Sequence, residues 1–280
     1  MSNPHLVSTE RLAAELSAPD LVVVDGSWYL PAQNRDGRAE YEAGHIPGAV
    51  FFDIDAISDK SSRLPHMLPG PEEFARAVGA LGIGDGKRIV VYDGAGLFSA
   101  PRVWWTFRTF GARDVAILDG GAPKWKCEGR PWTDEPSRIR PATFTPRLDH
   151  GAIAGMADVD RALGAGVQVV DARSAERFRG EAPEPRPGLS SGHIPGSLSL
   201  PSVRLIEDGR LKSREELARA FADAGVDPDK PVMTTCGSGV SAAIITLALE
   251  SFGRTGKGLY DGSWSEWAST PGRPIGTGPA

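Results

Sequence analysis

The sequence predicts an α/β protein in which one parallel-sheet unit, flanked by helices on both faces, is built twice. Three observations carry this expectation: internal repetition, short Val/Ile-rich runs alternating with amphipathic segments, and a proline-rich stretch between the copies. "GHIPGAVFFD" (44–53) returns as "GHIPGSLSLP" (192–201). "EEFARAVGALGIGDGKRIVVYD" (72–93) returns as "EELARAFADAGVDPDKPVMTTC" (215–236), and "LDGGAPKW" (118–125) as "YDGSWSEW" (260–267). "VVVDGS" (22–27) answers "QVVDAR" (168–173). The order of matches is preserved, so the unit is a duplicated domain, with expected bounds 1–140 and 152–280.

In each copy the runs "LVVVD", "RIVVYD", "VAILD" and "PVMTT" read as strands of four to six residues separated by helical patterns. That alternation implies βαβ units and a parallel sheet covered on both faces. Ser213 followed by Glu216 is a capping-box start for "REELARAFADAG", which should stop at Gly225. Between the copies lies "EGRPWTDEPSRIRPATFTPRLDHG" (128–151), whose four prolines make it a helix-free linker. Ligands of such sheets bind beyond the carboxyl ends of strands, which is where the loop starting at Cys236 falls.

Composition narrows the function class. The chain has 280 residues, 40% hydrophobic and 24% charged, as a globular protein does. A net charge of -5 without a basic stripe gives no reason to expect nucleic acid. No apolar run approaches the roughly 20 residues of a membrane helix, and "MSNPHLVSTE" lacks a leader pattern. Two cysteines are too few for a disulfide framework or a cysteine-rich metal site. The expectation is a cytoplasmic protein with a reduced Cys236 and no metal or organic cofactor.

The loop "TTCGSGVSAAIITLA" asks why a cysteine should sit among small residues between two apolar runs. Gly237 and Gly239 can take left-handed backbone conformations and bare their amides. Successive N–H groups then form an anion-binding nest at the start of the next helix, in a field that favours the Cys236 thiolate. Ser238 and Ser241 add hydroxyls. In the first copy the equivalent loop is "VYDGAGLFSAPRVWW", with Asp93 at the cysteine position and one extra residue. A carboxylate cannot accept a sulfur as a thiolate can, so one copy keeps the geometry and lacks the nucleophile. Cys127, in "KWKCEG", has no such surroundings and reads as incidental.

With these motifs the chain resembles the two-domain rhodanese-like sulfurtransferases over nearly its whole length. The resemblance rests on both "GHIPG" motifs, "DARSAERFRGEAPEPRPGLSSGHIPG", the cysteine loop and "YDGSWSEW". "CGSGVSA" looks like the loop of the 3-mercaptopyruvate sulfurtransferases; thiosulfate-preferring members usually carry cations where this chain has Gly237 and Ser238. The resemblance implies an inactive first domain and a catalytic second one. It implies that Arg177 and Arg186 bind the substrate, with the loop residues Gly237, Gly239, Val240 and Ser241. It also implies that His66, which has no counterpart in the second copy, forms a relay Asp55–His66–Ser238 from the first domain. Ser241 stands where the family often has threonine and keeps the hydroxyl.

Arg179 reads as surface charge, and His45 and His193, present in both copies, as turn stabilisers. His5 and His150 carry no signal. "GLSSG" (188–192) matches a nucleophile-elbow pattern without its strand–turn–helix context. "GAG" at 94–96 lacks the third glycine of a dinucleotide fingerprint. The expected reaction is double displacement through a Cys236 persulfide, from a small donor to a thiol such as thioredoxin, or to cyanide. Rival readings are a thiosulfate-preferring rhodanese, a non-enzymatic sulfur carrier, and a cysteine phosphatase. The last needs an arginine six places after the cysteine, where Ala242 stands.

Overall fold

The computed structural model describes residues 3–280. The first half contains β1 (Leu6–Val7), α1 (Thr9–Glu15), β2 (Leu21–Asp25), α2 (Gly37–Ala43), β3 (Val50–Phe51), α3 (Pro71–Ala80), β4 (Arg88–Tyr92), α4 (Ala100–Thr109), β5 (Val115–Leu118) and α5 (Gly121–Cys127). The second half repeats it with β6 (Ile153–Ala154), α6 (Met156–Gly164), β7 (Gln168–Asp171), α7 (Ala175–Arg179) and β8 (Leu198–Ser199). A small hairpin, β9 (Ile206–Glu207) and β10 (Arg210–Leu211), interrupts the repeat. α8 (Arg214–Asp223), β11 (Val232–Thr235), α9 (Ala242–Glu250), β12 (Leu259–Tyr260) and α10 (Ser263–Ser269) complete it. The two five-stranded sheets, β1-β5-β4-β2-β3 and β6-β12-β11-β7-β8, are parallel throughout and have the same order. Among the described residues no helix is long and apolar enough to cross a membrane.

The chemistry of two helices decides how the halves meet. "AAIITLALE" is buried on nearly every side, as expected of a helix without a polar face, and "APRVWWTFRT" is buried as fully although it carries Arg102 and Arg108. These helices, α4 and α9, pack against each other, and one apolar cluster runs through them from Val24 and Phe74 to Val170 and Ile244. Each sheet keeps a separate outer core, around Trp125 in one half and Trp264 in the other. Because α4 and α9 start at the loops of Asp93 and Cys236, their packing brings both loops to the interface.

Residues 128–151 contain no helix before the short turn at His150, as their prolines dictate, yet they are not a free tether. Ala142 donates to the Gly79 carbonyl, Arg147 to Phe110 and Asp149 to Thr109, at 2.8–2.9 Å. Phe144 inserts edge-on against Phe74. The segment is strapped along the first half. α8 begins at the Ser213–Glu216 capping box and ends before Gly225, whose φ is 68°.

Equivalent aspartates end β2 and β7, and their surroundings differ. Asp171 takes Arg173 Nη2 at 2.6 Å and Nε at 3.0 Å, a fully buried pair with the guanidinium over the Trp264 ring. Asp25 has Ser27 in place of that arginine and accepts the Ser27 amide at 2.9 Å. Burial pushes the Asp25 carboxyl up to about 6, against 3.8 unfolded. The folded state therefore holds the proton more tightly than the unfolded chain. Relative to acid pH, where both states are protonated, stability is unchanged below about pH 4, falls as pH rises through the interval to about 6, and above it is lower by a total on the order of 3 kcal/mol. Asp25→Asn should raise the melting temperature at pH 8 by several degrees and change it little at pH 4. Equal effects at both pH values would contradict this linkage.

Candidate functional site

Cys236 follows the carboxyl end of β11 and is 2% exposed. The start of α10 holds its loop. The Trp264 amide donates to the Cys236 carbonyl at 2.9 Å, and the Ser265 amide and hydroxyl to Gly237 at 2.9 and 2.6 Å. The Cys236 amide donates to Ser263 Oγ at 3.2 Å. Ser263 has a φ of 49°, where the first copy places Gly121 at 52°. A serine in that region is strained, which is a common property of functional loops.

The first copy shows what this loop holds. Asp93 Oδ2 accepts the amides of Phe98, Ser99 and Ala100 at 2.7, 2.9 and 2.8 Å, and Oδ1 accepts Ala95 at 2.9 Å. The carboxylate thus fills its own nest. α4 starts at Ala100 and α9 at Ala242, so the matching amides are those of Val240, Ser241 and Ala242. Among the described residues these three donate to no protein acceptor. An anionic group carried on Cys236 would meet the donors that Asp93 meets. The glycines divide the labour. Gly239 (φ 78°) and Gly96 (φ 102°) are left-handed, whereas Gly237 and Gly94 are not. The expectation that both glycines of the loop use positive φ is corrected. At Gly237 the constraint is room: a Cβ there would lie 3.1 Å from Arg177 Nη2.

Two cations face the loop differently. Arg177 Nη2 and Nε engage Glu184, which is buried and also takes Arg173 Nη1 at 2.7 Å. This fork fixes the plane of Arg177 while Nη1 donates to no protein acceptor among the described residues. Arg186 has no salt-bridge partner among the described residues. Burial lowers its pKa from the usual arginine value, opposed by the nearby charge of Cys236. A half-buried, unpaired guanidinium gains most from an incoming carboxylate. Arg179 pairs with Glu181 at the surface.

The first half contributes the rest. The loop after β3 crosses the interface and puts His66, buried, with Nδ1 3.0 Å from Ser238 Oγ and Nε2 3.0 Å from Asp55 Oδ1. Trp28 Nε1 donates to Asp55 Oδ2 at 2.9 Å and its ring stands edge-on to the imidazole. The bond from His66 holds the Asp55 carboxyl below its ordinary value, against partial burial. Asp55 is therefore an acceptor only, and neutral His66 carries its proton on Nε2, leaving Nδ1 to accept the Ser238 hydroxyl. The exchange is mutual: the tip of the β9–β10 hairpin lays Gly209 against Gly96 of the first loop. His45 and His193 do not join the site. Their Nδ1 atoms lie 2.8 and 2.9 Å from the Tyr41 and Phe178 carbonyls, inside their own halves. Cys127 is exposed at the end of α5.

Motif reading missed Trp28, Glu184, Arg102 and Asp261. Asp261 was visible only as part of a repeated motif, and Arg102 only as one of two arginines in the helical run "APRVWWTFRT". Arg102 Nη2 donates to Asp261 Oδ1 at 2.7 Å and to the His66 carbonyl at 2.5 Å.

Comparison with known proteins gives the same architecture. The family described as "Rhodanese-like domain" matches twice, over residues 8–128 and 156–270. A 3-mercaptopyruvate sulfurtransferase of Escherichia coli is 43% identical, covering 98% of this chain and 99% of its own. A thiosulfate sulfurtransferase of Cricetulus griseus is 46% identical, covering 94% and 91%. The crystal structure of SseA from Escherichia coli, described as a 3-mercaptopyruvate sulfotransferase, superposes with a TM-score of 0.86. It has 42% identity and covers 94% of this chain and 99% of its own.

Proposed function

The chain belongs to the rhodanese-like domain family, and on that premise we propose that it is a sulfurtransferase taking its sulfur from 3-mercaptopyruvate. Relatives of comparable identity are named for mercaptopyruvate and for thiosulfate. The choice of donor therefore rests on the site. The observation that carries it is His66 bridging Ser238 and Asp55 at 3.0 Å on each side. Thiosulfate transfer needs no proton on carbon; mercaptopyruvate transfer does.

The steps balance without a cofactor. The Cys236 thiolate attacks the thiol sulfur of the substrate, an S–S bond forms and the C–S bond breaks, releasing the enolate of pyruvate. The proton that leaves the substrate thiol is the one the enolate carbon requires. Ser238 and His66 carry it, with Asp55 stabilising the imidazolium that exists in transit. The persulfide anion settles on the amides of Val240, Ser241 and Ala242, as Asp93 does on its own nest. Arg186 and the free edge of Arg177 grip the substrate carboxylate and polarise its carbonyl. A thiol or cyanide then removes the outer sulfur, and storing it covalently divides one transfer into two easier ones. A thioredoxin-like thiol and a reducing, cytoplasmic setting suit a cysteine that must return to thiolate.

Donor choice is tested by measuring kcat/KM for both donors side by side. Gly237 and Ser238 offer no cation to departing sulfite, so mercaptopyruvate should be favoured by about a hundredfold, 2.7 kcal/mol of barrier. A preference for thiosulfate would transfer the assignment to the rhodanese reading.

A further inference from the structure

We propose that the first half carries a binding site for a small organic phosphate at the amino ends of β4 and β5, the end of the sheet opposite the Asp93 loop. A cavity of about 360 Å³ opens there, at the lower end of the size range of metabolite pockets. Its floor is apolar: Ile89 and Phe144 are buried, and Ala112 is partly so. One wall is the strap between the halves. Thr145 fixes that wall by donating its hydroxyl and its amide to Asp85 at 2.6 and 2.9 Å.

The charges around the floor differ in what already holds them. Lys87 Nζ donates to the Pro19 carbonyl at 2.7 Å, and Arg88 is paired with Asp20 and Glu15. The Thr145 bonds, with the nearby charge of Arg147, hold the Asp85 carboxyl below its ordinary value. Arg113 and Arg147 have no salt bridge and no side-chain hydrogen bond among the described residues. Asp114 is the one uncommitted carboxylate of the lining, against these two uncommitted guanidinium groups. The amides of Gly86 and Arg113, which also line the cavity, donate to no protein acceptor. Two guanidinium forks and spare amides above an apolar floor call for an anion with several acceptor oxygens and an apolar body. A phosphate monoester has three such oxygens, where a carboxylate has two.

The duplication shows the same corner closed. Counting from Asp93 and Cys236, Gly84 and Gly86 correspond to Asp227 and Asp229. Counting from Asp119 and Asp261, Ala112 corresponds to Arg254. In the second half Arg254 Nη2 and Nε donate to Asp229 Oδ1 at 2.5 and 3.1 Å. Asp227 pairs with Lys230 at 3.7 Å, and its amide donates to Gln168 at 2.8 Å. The first half has glycine in place of both acids and alanine in place of the arginine. The fold stands with this corner filled, so packing does not require the opening. The opening and its free cations belong to the first copy alone.

Phenyl phosphate is the probe, titrated by calorimetry into the whole protein beside inorganic phosphate and phenol. It should bind saturably at one site, about tenfold or more tighter than inorganic phosphate, while phenol gives no measurable binding. Arg113→Ala and Arg147→Ala should each weaken it about tenfold, and Gly86→Asp at least as much, with mercaptopyruvate turnover unchanged. A Cβ on Gly86 meets nothing within 4 Å, and aspartate tolerates its φ of 77°, so Gly86→Asp adds charge without a clash. Arg177 and Arg186 also attract anions, so Arg186→Ala is the control, and binding should survive it. Absence of saturable binding, or undiminished binding by both Arg113→Ala and Arg147→Ala, would overturn the proposal. Equal affinity for inorganic phosphate would overturn the organic class. Binding lost in Arg186→Ala and kept in the other variants would place the probe at the sulfur site and overturn it as well.

Discussion

Cys236→Ser is expected to abolish sulfur transfer from either donor, and to do so without unfolding the protein. The substitution is nearly isosteric at a buried position, and the hydrogen bonds that shape the loop run through the Cys236 backbone rather than its thiol. A serine hydroxyl is not ionised at neutral pH and cannot store sulfur as a persulfide, so the double displacement has no first step. Cys127→Ser should retain most activity, since Cys127 lies exposed at the end of α5 with no converging amides. Mass spectrometry after donor treatment should find one added sulfur on the peptide containing Cys236. Sulfur found on Cys127 would reverse the assignment.

The duplication made much of this readable. Two aligned copies differing at Asp93 and Cys236 separate what the fold requires from what the chemistry requires, and the parallel sheets follow from the spacing of the strand runs. The structure adds that Asp93 is more than a missing nucleophile, because its carboxylate satisfies four amides of its own loop. Such satisfaction depends on which N–H groups converge, and loop composition does not state it. His66 and Asp55 came into view through family resemblance, because their partner Ser238 lies 172 residues from His66 in the chain. Arg102 escaped notice for a different reason. Either arginine of "APRVWWTFRT" reads as a surface residue, and only the packing of α4 on α9 turns Arg102 inward. Composition alone suggests a left-handed turn at Gly237, whereas its φ is not positive and a Cβ there would stand 3.1 Å from Arg177 Nη2.

His66 should then account for the donor preference itself. His66→Ala is expected to lower kcat with mercaptopyruvate by about a hundredfold or more, the usual scale of general acid–base catalysis, and to change thiosulfate turnover by only a few-fold. The alanine variant also keeps a left-handed backbone that alanine tolerates poorly, so the variant that isolates the chemistry is His66→Asn. Asparagine adopts that conformation readily and can still hydrogen-bond Ser238, yet its amide cannot carry a proton at neutral pH. His66→Asn should therefore match His66→Ala in mercaptopyruvate turnover while melting closer to the unmodified protein. Asp55→Asn should cost less than either: its side chain is 62% exposed, and its contribution is to fix the tautomer and to favour the imidazolium. Because the Asp55 carboxyl lies below its ordinary value, its support for the relay persists down to acid pH and fails only below the usual carboxylate range. If His66→Asn keeps full mercaptopyruvate turnover, proton delivery comes from solvent and the interdomain relay has no chemical role. If it lowers both donors equally, His66 serves the Cys236 loop and not the departing enolate.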